Sequence, residues 1–112
     1  MPIPRRTDLL RGTLDMLVLR VLELQPLHGI GIADRIRQVT RHTFDVQAGS
    51  LFPALHRLEQ EGWTEGTWTT NDEGRRVRSY ALTPAGRRTL KAETAQWERI
   101  VTAVTAVLDM EG

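Results

Sequence analysis

The hydrophobic positions of the first forty residues form two helical patterns with a short interruption between them. From Leu9 onward, apolar residues recur at spacings of three and four, which predicts a first helix over about residues 10–24. The segment QPLHG, residues 25–29, ends this pattern because proline and glycine both break helices. A second helix is predicted over about residues 30–41, with apolar side chains on one face and charged side chains on the other.

A third helix is predicted within QAGSLFPALHRLEQEG, residues 47–62, although its start combines a glycine, a serine, an aromatic residue and a proline. Pro53 is predicted to lie in the first turn, where N–H groups lack intrahelical partners and a proline costs little. The helix should therefore begin close to residues 47–50, and Gly62 suits a left-handed cap at its end. Its buried stripe is predicted to be Leu51, Leu55 and Leu58.

The C-terminal half predicts a β-hairpin followed by one long helix. Residues 63–70 and 77–82 are rich in aromatic and β-branched residues, and the NDEGRR between them is typical of a turn. Thr83 is a good N-cap and Pro84 suits the first helical position, so a last helix should run from there to about residue 108. Three helices followed by a hairpin are the layout of a winged helix, in which the second and third helices form the helix-turn-helix.

The composition excludes several classes of protein and of binding site. The chain has 112 residues, a net charge of +1 and no cysteine. A disulfide framework and a thiolate zinc site are excluded, whereas a local basic face is not. The longest apolar run is too short to span a bilayer and the start lacks a signal-peptide pattern, so we expect a cytoplasmic protein without a membrane partner.

The polar face of the third helix is the first candidate binding surface. A helix with a small, partly polar first turn suits a recognition helix, whose first residues enter the major groove of DNA. Glycine permits close approach of the backbone, a serine hydroxyl can contact phosphate or base, and arginine supplies a guanidinium. The solvated face of an ordinary core helix is the alternative. The candidate DNA contacts on this helix are Gly49, Ser50, Phe52, Pro53, His56 and Arg57.

The hairpin supplies the second candidate surface. Arg75, Arg76 and Arg78 lie at or beside its turn, interrupted only by a valine. Three arginines on a hairpin beside a recognition helix favour a wing that grips phosphate or enters the minor groove. An ordinary solvated, charged hairpin is the alternative. Asp72 and Glu73 lie on the other side of the turn, so DNA contact should come from the arginine side.

The last helix carries an apolar stripe that a small winged core is too short to cover. Its spacing is close to 3.5 residues, the pattern of a helix packed on another long helix, and the expected partner is a second copy of the chain. A two-fold dimer would present two recognition helices to a palindromic operator, with half-sites about 34–36 Å or multiples of this apart. The predicted dimer residues are Leu90, Trp97, Val101, Val104 and Leu108.

Two of these dimer residues have alternative interpretations. Leu90 could instead cap the core of its own subunit, an interpretation that hardly extends to Val104 and Leu108. Trp97 is either packing in the dimer seam or the wall of an apolar ligand pocket between subunits.

The sequence contains no recognisable catalytic motif. None of the three histidines has the spacing of a metal site, no serine lies in a GxSxG elbow, and no glycine-rich phosphate loop occurs. We therefore expect no enzyme activity, no cofactor and no metal.

Three segments together resemble the PadR family of bacterial transcriptional regulators. They are LLRGTLDMLVLRVLELQPLHGIGIADRI, GSLFPALHRLEQEGW and GRRVRSYALTPAGRRTL, which fall within about residues 9–97 in the expected order. The short tail resembles the subgroup with a single C-terminal dimerisation helix. The resemblance implies a homodimeric winged-helix repressor whose third helix and arginine-bearing wing meet operator DNA. The residues that match this role are Gly49, Ser50, Phe52, Pro53, Arg75 and Arg76.

The resemblance also implies a small-molecule ligand. The sequence departs from the family pattern at two positions. Some family members respond to phenolic or other hydrophobic small molecules, and Trp97 occupies a place comparable with a tryptophan at an apolar cavity between subunits. Phe52 stands where the family usually has tyrosine, so the ring is kept and the hydroxyl is lost. Helix two begins Gly29-Ile30 where the family usually has Gly-Tyr.

The predicted fold is α+β and mostly α, a winged helix-turn-helix with three helices and a two-stranded wing, followed by a long C-terminal dimerisation helix. Its parts are an N-terminal arm over residues 1–8, a DNA-binding domain over 9–83 and the dimerisation helix over 84–112. The predicted function is a PadR-like repressor that binds palindromic double-stranded DNA as a homodimer and is released by a hydrophobic or phenolic molecule. The alternative is a winged-helix module that binds another protein without specific DNA binding.

Overall fold

The computed structural model describes the backbone from residue 6 and the side chains from residue 12, both to residue 112. It confirms the predicted mostly helical winged helix with a long final helix. The predicted arm lies, over residues 1–5, outside the described residues, and the first helix begins earlier than predicted. The elements are α1 (Arg6–Leu24), β1 (Leu27–His28), α2 (Gly29–Val39), α3 (Ala48–Gln60), β2 (Thr64–Thr70), β3 (Arg76–Leu82) and α4 (Pro84–Leu108).

One hydrophobic core joins the first three helices to the sheet and to the beginning of α4. The predicted stripe of α3 is confirmed, because Leu51, Leu55 and Leu58 are all buried. Apolar faces of α1 and α2 pack against this stripe, as the helical spacing of their side chains predicts. The other buried members of the core are Val18, Leu19, Leu22, Ile32, Ala33, Ile36, Tyr80 and Leu90.

The sheet has three antiparallel strands in the order β1-β3-β2, one more than the predicted hairpin. The two residues of β1 pair with Tyr80 and Ser79 of β3, so the interruption between α1 and α2 is a short strand rather than a simple turn. Two residues between a proline and a glycine are too few to show the alternation that predicts a strand. The pairing therefore depends on the edge that β3 offers, which is a tertiary property.

The joint between the hairpin and α4 is tightly packed. The Thr83 hydroxyl accepts a hydrogen bond from the Gly86 N–H at 3.0 Å and donates one to the Gly62 carbonyl at 2.7 Å, which confirms the predicted N-cap. Gly62 has a φ of 77°, the left-handed conformation predicted for the end of α3. A Cβ atom at Gly86 would lie 2.0 Å from the Trp63 carbonyl oxygen, so this close approach requires glycine.

Beyond this joint, α4 extends away from the core. Gly86 and Leu90 are its only buried residues in the described chain, and after Leu90 almost every residue is exposed. At 1.5 Å per residue, the part after Leu90 is about 27 Å long. None of the helices in the described ranges is long and apolar enough to cross a membrane.

Candidate nucleic-acid interface

The outer face of α3 is exposed along its whole length. Ser50, Pro53 and His56 all lie on this face, as the sequence predicts. Apart from its chain neighbours and the backbone of its own helix, a Cβ atom at Gly49 would meet no atom of the described residues within 4 Å, so this packing gives no reason for glycine there. The open space in front of Gly49 leaves room for the backbone to approach another molecule closely.

Pro53 occupies a different position in α3 from the predicted one. The helix begins at Ala48, within the predicted range, which makes Pro53 its sixth residue and places it in the second turn. The first bond of the helix runs from the Leu51 N–H to the Gln47 carbonyl. Because proline has no N–H, the Gly49 carbonyl lacks its intrahelical donor. The prediction that Pro53 lies in the first turn, where its missing N–H costs little, is therefore wrong.

Phe52 lies between α3 and the start of α2. A Cβ atom at Gly29 would lie 3.0 Å from the Cε1 atom of the Phe52 ring, so the ring packs directly on the backbone of the buried Gly29. The other side of the ring is open, since half of Phe52 (50%) remains exposed. Phe52 therefore contacts its own subunit on one side and leaves the other side available to a binding partner.

Arg57, a predicted DNA contact, lies in an ion pair within the chain. Its Nη2 atom is 2.7 Å from the Asp15 Oδ1 atom of α1, and both side chains are partly buried. This pair ties the second half of α3 to α1. The guanidinium therefore contacts the protein itself rather than standing free on the outer face of α3.

The turn of the hairpin is built around Asn71. Its side-chain oxygen accepts hydrogen bonds from the N–H groups of Glu73 and Arg75, and Gly74 takes a left-handed φ of 79°. These bonds fix the backbone on which Arg75 stands, while its side chain is exposed. In the part of the chain with described side chains, the Arg75 guanidinium has no ion pair or hydrogen bond.

The remaining wing arginines share one face of the hairpin with Trp68. Trp68 pairs with Arg78 across the two strands, and Arg76 lies on the same face because side chains alternate along a strand. The guanidinium carbons of Arg76 and Arg78 lie 4.8 Å and 5.4 Å from the centre of the Trp68 ring. Both distances are within the range of a cation–π contact.

Arg78 also connects the wing to α3. Its Nη2 atom is 2.8 Å from the Glu59 Oε2 atom, and this hydrogen bond raises the pKa of Arg78. Gly66 makes the connection possible, because a Cβ atom there would lie 2.5 Å from Glu59 Oε1 and 2.6 Å from Arg78 Nε. Burial raises the pKa of the neighbouring Tyr80. Arg78, like Arg57, is therefore already paired within the chain.

Sequence reasoning overlooked three residues of this interface. Glu59, Gly66 and Trp68 were not predicted to belong to it. The predicted turn already followed Thr70, and pairing Thr70 with Arg76 across it places Trp68 opposite Arg78, so the strand register was the signal that could have identified Trp68. The ion pair of Glu59 joins residues that are 19 positions apart, so no local pattern could reveal it.

The apolar stripe of α4 is exposed in the single chain. Trp97 is 43% exposed and Val104 is 51% exposed, and the stripe also includes Ile100 and Val107, which the sequence analysis did not name. The prediction that Leu90 belongs to the dimer interface needs correction. Leu90 is only 3% exposed and belongs to the core of its own chain, because it lies in the part of α4 that is docked on the body. Val101 and Leu108 are exposed with the rest.

A shallow pocket of about 160 Å³ lies beside Trp97. It is formed between α1 and α4, and its walls come from both helices. The pocket is smaller than ordinary ligand sites, which have about 300–1,000 Å³. Its lining residues are Gly12, Thr13, Met16, Glu93, Gln96, Trp97 and Ile100.

Known proteins resemble this chain in sequence and in fold. The model of the transcriptional regulator PadR-like family matches residues 18–92. The chain is 37% identical over 68 residues to a transcriptional regulator of Mycobacterium tuberculosis, covering 61% of this chain and 63% of that protein.

Two solved structures have the same fold. A transcriptional regulator from Clostridium thermocellum superposes with a TM-score of 0.80 and 26% identity, covering 88% of this chain and 95% of its own. A PadR family transcriptional regulator from Eggerthella lenta superposes with a TM-score of 0.76 and 30% identity, covering 94% and 89%. The family consists of DNA-binding transcriptional regulators rather than enzymes. With more than half of its length matched, the chain belongs to the PadR-like family of transcriptional regulators.

Proposed function

We propose that this regulator is a homodimeric repressor that binds a palindromic operator and is released by a hydrophobic or phenolic small molecule. Residues 9–83 form the DNA-binding unit of each subunit, and residues 84–112 join the two subunits. Each subunit inserts the start of α3 into the major groove and places its wing against the neighbouring backbone.

The exposed stripe on α4 is the observation that carries the proposal. Trp97, Val101 and Val104 lie on one face of a helix whose end is exposed and not covered by the described residues. A contiguous apolar face of this kind marks a protein interface, and a stripe with a repeat near 3.5 residues fits another long helix. The α4 helix of a second copy of the chain is such a helix. Pairing of the same face on both copies gives a two-fold axis, which matches the symmetry of a palindrome.

The DNA contacts divide into direct and supporting residues. Ser50, Phe52 and His56 on α3 are assigned to the groove, together with the open backbone at Gly49 and Pro53. Arg75 and Arg76 are assigned to phosphate, because neither is in an ion pair within the described chain. Arg57 and Arg78 instead orient α3 and the wing through their carboxylate partners.

The pocket at Trp97 is the proposed effector site. One chain forms only a shallow, small pocket there, with α4 as one of its walls, and we propose that the α4 helix of the second subunit completes it. The combined site would have apolar aromatic walls, which suit a planar hydrophobic ligand. A ligand that binds between the subunits can favour one spacing of the two α3 helices over another, which is the coupling that release from DNA requires.

Selection of genomic fragments by the purified protein tests the proposal. The expected result is enrichment of inverted repeats, followed by binding to one such fragment with a steep dependence on salt. Replacing Arg76 with alanine should flatten the slope of log affinity against log salt by about 0.9 for one lost phosphate contact. Arg88→Ala, which removes the same charge from the first half of α4, is the matched control.

Two results would contradict the proposal. Unchanged salt slopes for both Arg75→Ala and Arg76→Ala would exclude the wing as a phosphate contact. A complete absence of enriched fragments would favour the alternative, a winged-helix module that binds another protein.

A further inference from the structure

We propose that Trp68 is a positioning residue, which holds Arg76 in the orientation that meets the DNA backbone. The inference rests on the proposed function of the wing and adds a residue that the sequence analysis did not assign. It states that the tryptophan acts through the arginine, and that the ring itself contributes little direct contact with DNA.

A continuous series of contacts runs from α3 to the outer part of the wing. Glu59 of α3 accepts a hydrogen bond from Arg78, whose guanidinium lies against the Trp68 ring. Arg76, nearer the turn, lies against the same ring at the shorter distance of 4.8 Å. The orientation of α3 is thereby linked, through two side chains, to the position of Arg76.

Trp68 does not belong to the hydrophobic core. It is 57% exposed, and it lies on the part of the hairpin that projects beyond the buried residues Thr64 and Tyr80. Trp63, in contrast, packs against the core at the base of the hairpin. An exposed tryptophan on a wing is therefore best accounted for by the two cations that lie against it.

The physical benefit of this contact is preorganisation. A free arginine side chain loses much rotamer freedom when it is fixed on a phosphate, and this loss weakens binding. An arginine that already lies on an aromatic ring has less freedom to lose. The contact also leaves the N–H groups at the edge of the guanidinium free to donate hydrogen bonds to phosphate oxygens.

The test is a double-mutant cycle on operator affinity with Trp68→Ala, Arg76→Ala and the two changes together. Trp68→Ala should lower affinity about threefold to tenfold, because Arg76 must then be ordered on binding. It should leave the salt slope unchanged, since the number of phosphate contacts is the same. In the Arg76→Ala background, Trp68→Ala should have almost no further effect.

Conservative variants separate a positioning role from a structural one. Trp68→Phe keeps an aromatic face and should recover most of the affinity, whereas Trp68→Leu should behave like Trp68→Ala. Thr67→Ala is the matched control, because Thr67 is the exposed neighbour on the opposite face of the same strand. Thermal melts of all variants should agree with the wild type within a few degrees, because the exposed ring contributes little to the core.

Several outcomes would overturn the proposal. Equal losses from Trp68→Ala with and without Arg76 would show that the ring contacts DNA directly. An unchanged affinity for Trp68→Ala, with a clear loss for Arg76→Ala, would exclude positioning while leaving the proposed function intact. Unchanged affinity and slope for Arg76→Ala would overturn this inference, and the same result for Arg75→Ala as well would overturn the assignment of the wing.

Discussion

The surface formed by α3 and the wing differs from the surface of α4 in how far one chain completes it. On the first surface, Arg57 and Arg78 are paired with carboxylates, and Phe52 packs on Gly29. On the second, Trp97 and Val104 are largely exposed in the single chain, apart from the shallow pocket beside Trp97.

This difference indicates how the two surfaces are used. A polar surface that is held in shape by its own ion pairs is ready to meet a ligand without rearrangement, which lowers the cost of binding. An apolar stripe gains nothing from remaining in water, and its removal from water is what drives association. One subunit can therefore form the proposed DNA-binding surface alone, whereas the α4 surface is complete only in the proposed dimer.

The largest expected effect comes from placing a charge in the α4 stripe. Val104→Glu should give monomers, because two carboxylates would be buried together at a two-fold interface. Operator affinity should fall about 100-fold or more, since the two half-sites would no longer be bound by linked subunits. Sedimentation equilibrium and operator titration on the same sample check both results.

Thr102→Glu is the control for this change. Thr102 is two residues from Val104 and so lies about 200° around the helix, away from the stripe. It should remain a dimer and bind the operator normally. An intact dimer for Val104→Glu would show that the subunits meet elsewhere or do not meet.

The second expected effect is a loss of stability at the joint between the hairpin and α4. Gly86→Ala would place a Cβ atom 2.0 Å from the Trp63 carbonyl oxygen, a backbone atom that cannot move aside cheaply. The free energy of unfolding should fall by about 3 kcal/mol, the upper range for overpacking. Urea denaturation followed by circular dichroism measures this loss, and a change below about 1 kcal/mol would contradict the packing described for the joint.

Gly49→Ala should separate stability from binding. The added methyl group would meet no described residue outside the backbone of its own helix within 4 Å, so the free energy of unfolding should rise by about 0.5–1 kcal/mol through better helix propensity. Operator affinity should fall nevertheless, because the methyl group would occupy the space between α3 and the DNA. Increased stability with unchanged affinity would remove Gly49 from the proposed interface.

The smallest effect is expected at Thr64, where the wing joins the core. Its hydroxyl oxygen is buried and has no hydrogen-bond partner among the described residues. Thr64→Val keeps the shape and removes this unpaired group, so stability should stay equal or rise by about 1 kcal/mol. A loss above about 1 kcal/mol in a thermal or urea titration would indicate that the hydroxyl has a partner, such as a buried water.

The sequence predicted the features that depend on local spacing. The stripe of α3, the cap at Thr83 and the left-handed glycine at position 62 follow from periodicity and from helix-end chemistry. They were confirmed because local preference and tertiary packing agree at these positions.

The features that the sequence did not predict depend on contacts between distant segments. Strand β1 exists because β3 offers it an edge, and Gly66 leaves the space in which Arg78 reaches Glu59. Leu90 was assigned to the dimer because it belongs to the apolar stripe of α4. The spacing of that stripe does not reveal how far along α4 the core of the same chain extends. Arg57 was assigned to DNA because its partner, Asp15, lies 42 positions away.

The central claim is that two chains, joined through α4, bind one operator together. The most direct test is the mass of the protein–DNA complex, measured by sedimentation on a full inverted repeat and on a single half-site of equal length. We expect two chains on the full site, and a large loss of affinity on the half-site. A complex of one chain per duplex, formed with equal affinity on both fragments, would contradict it.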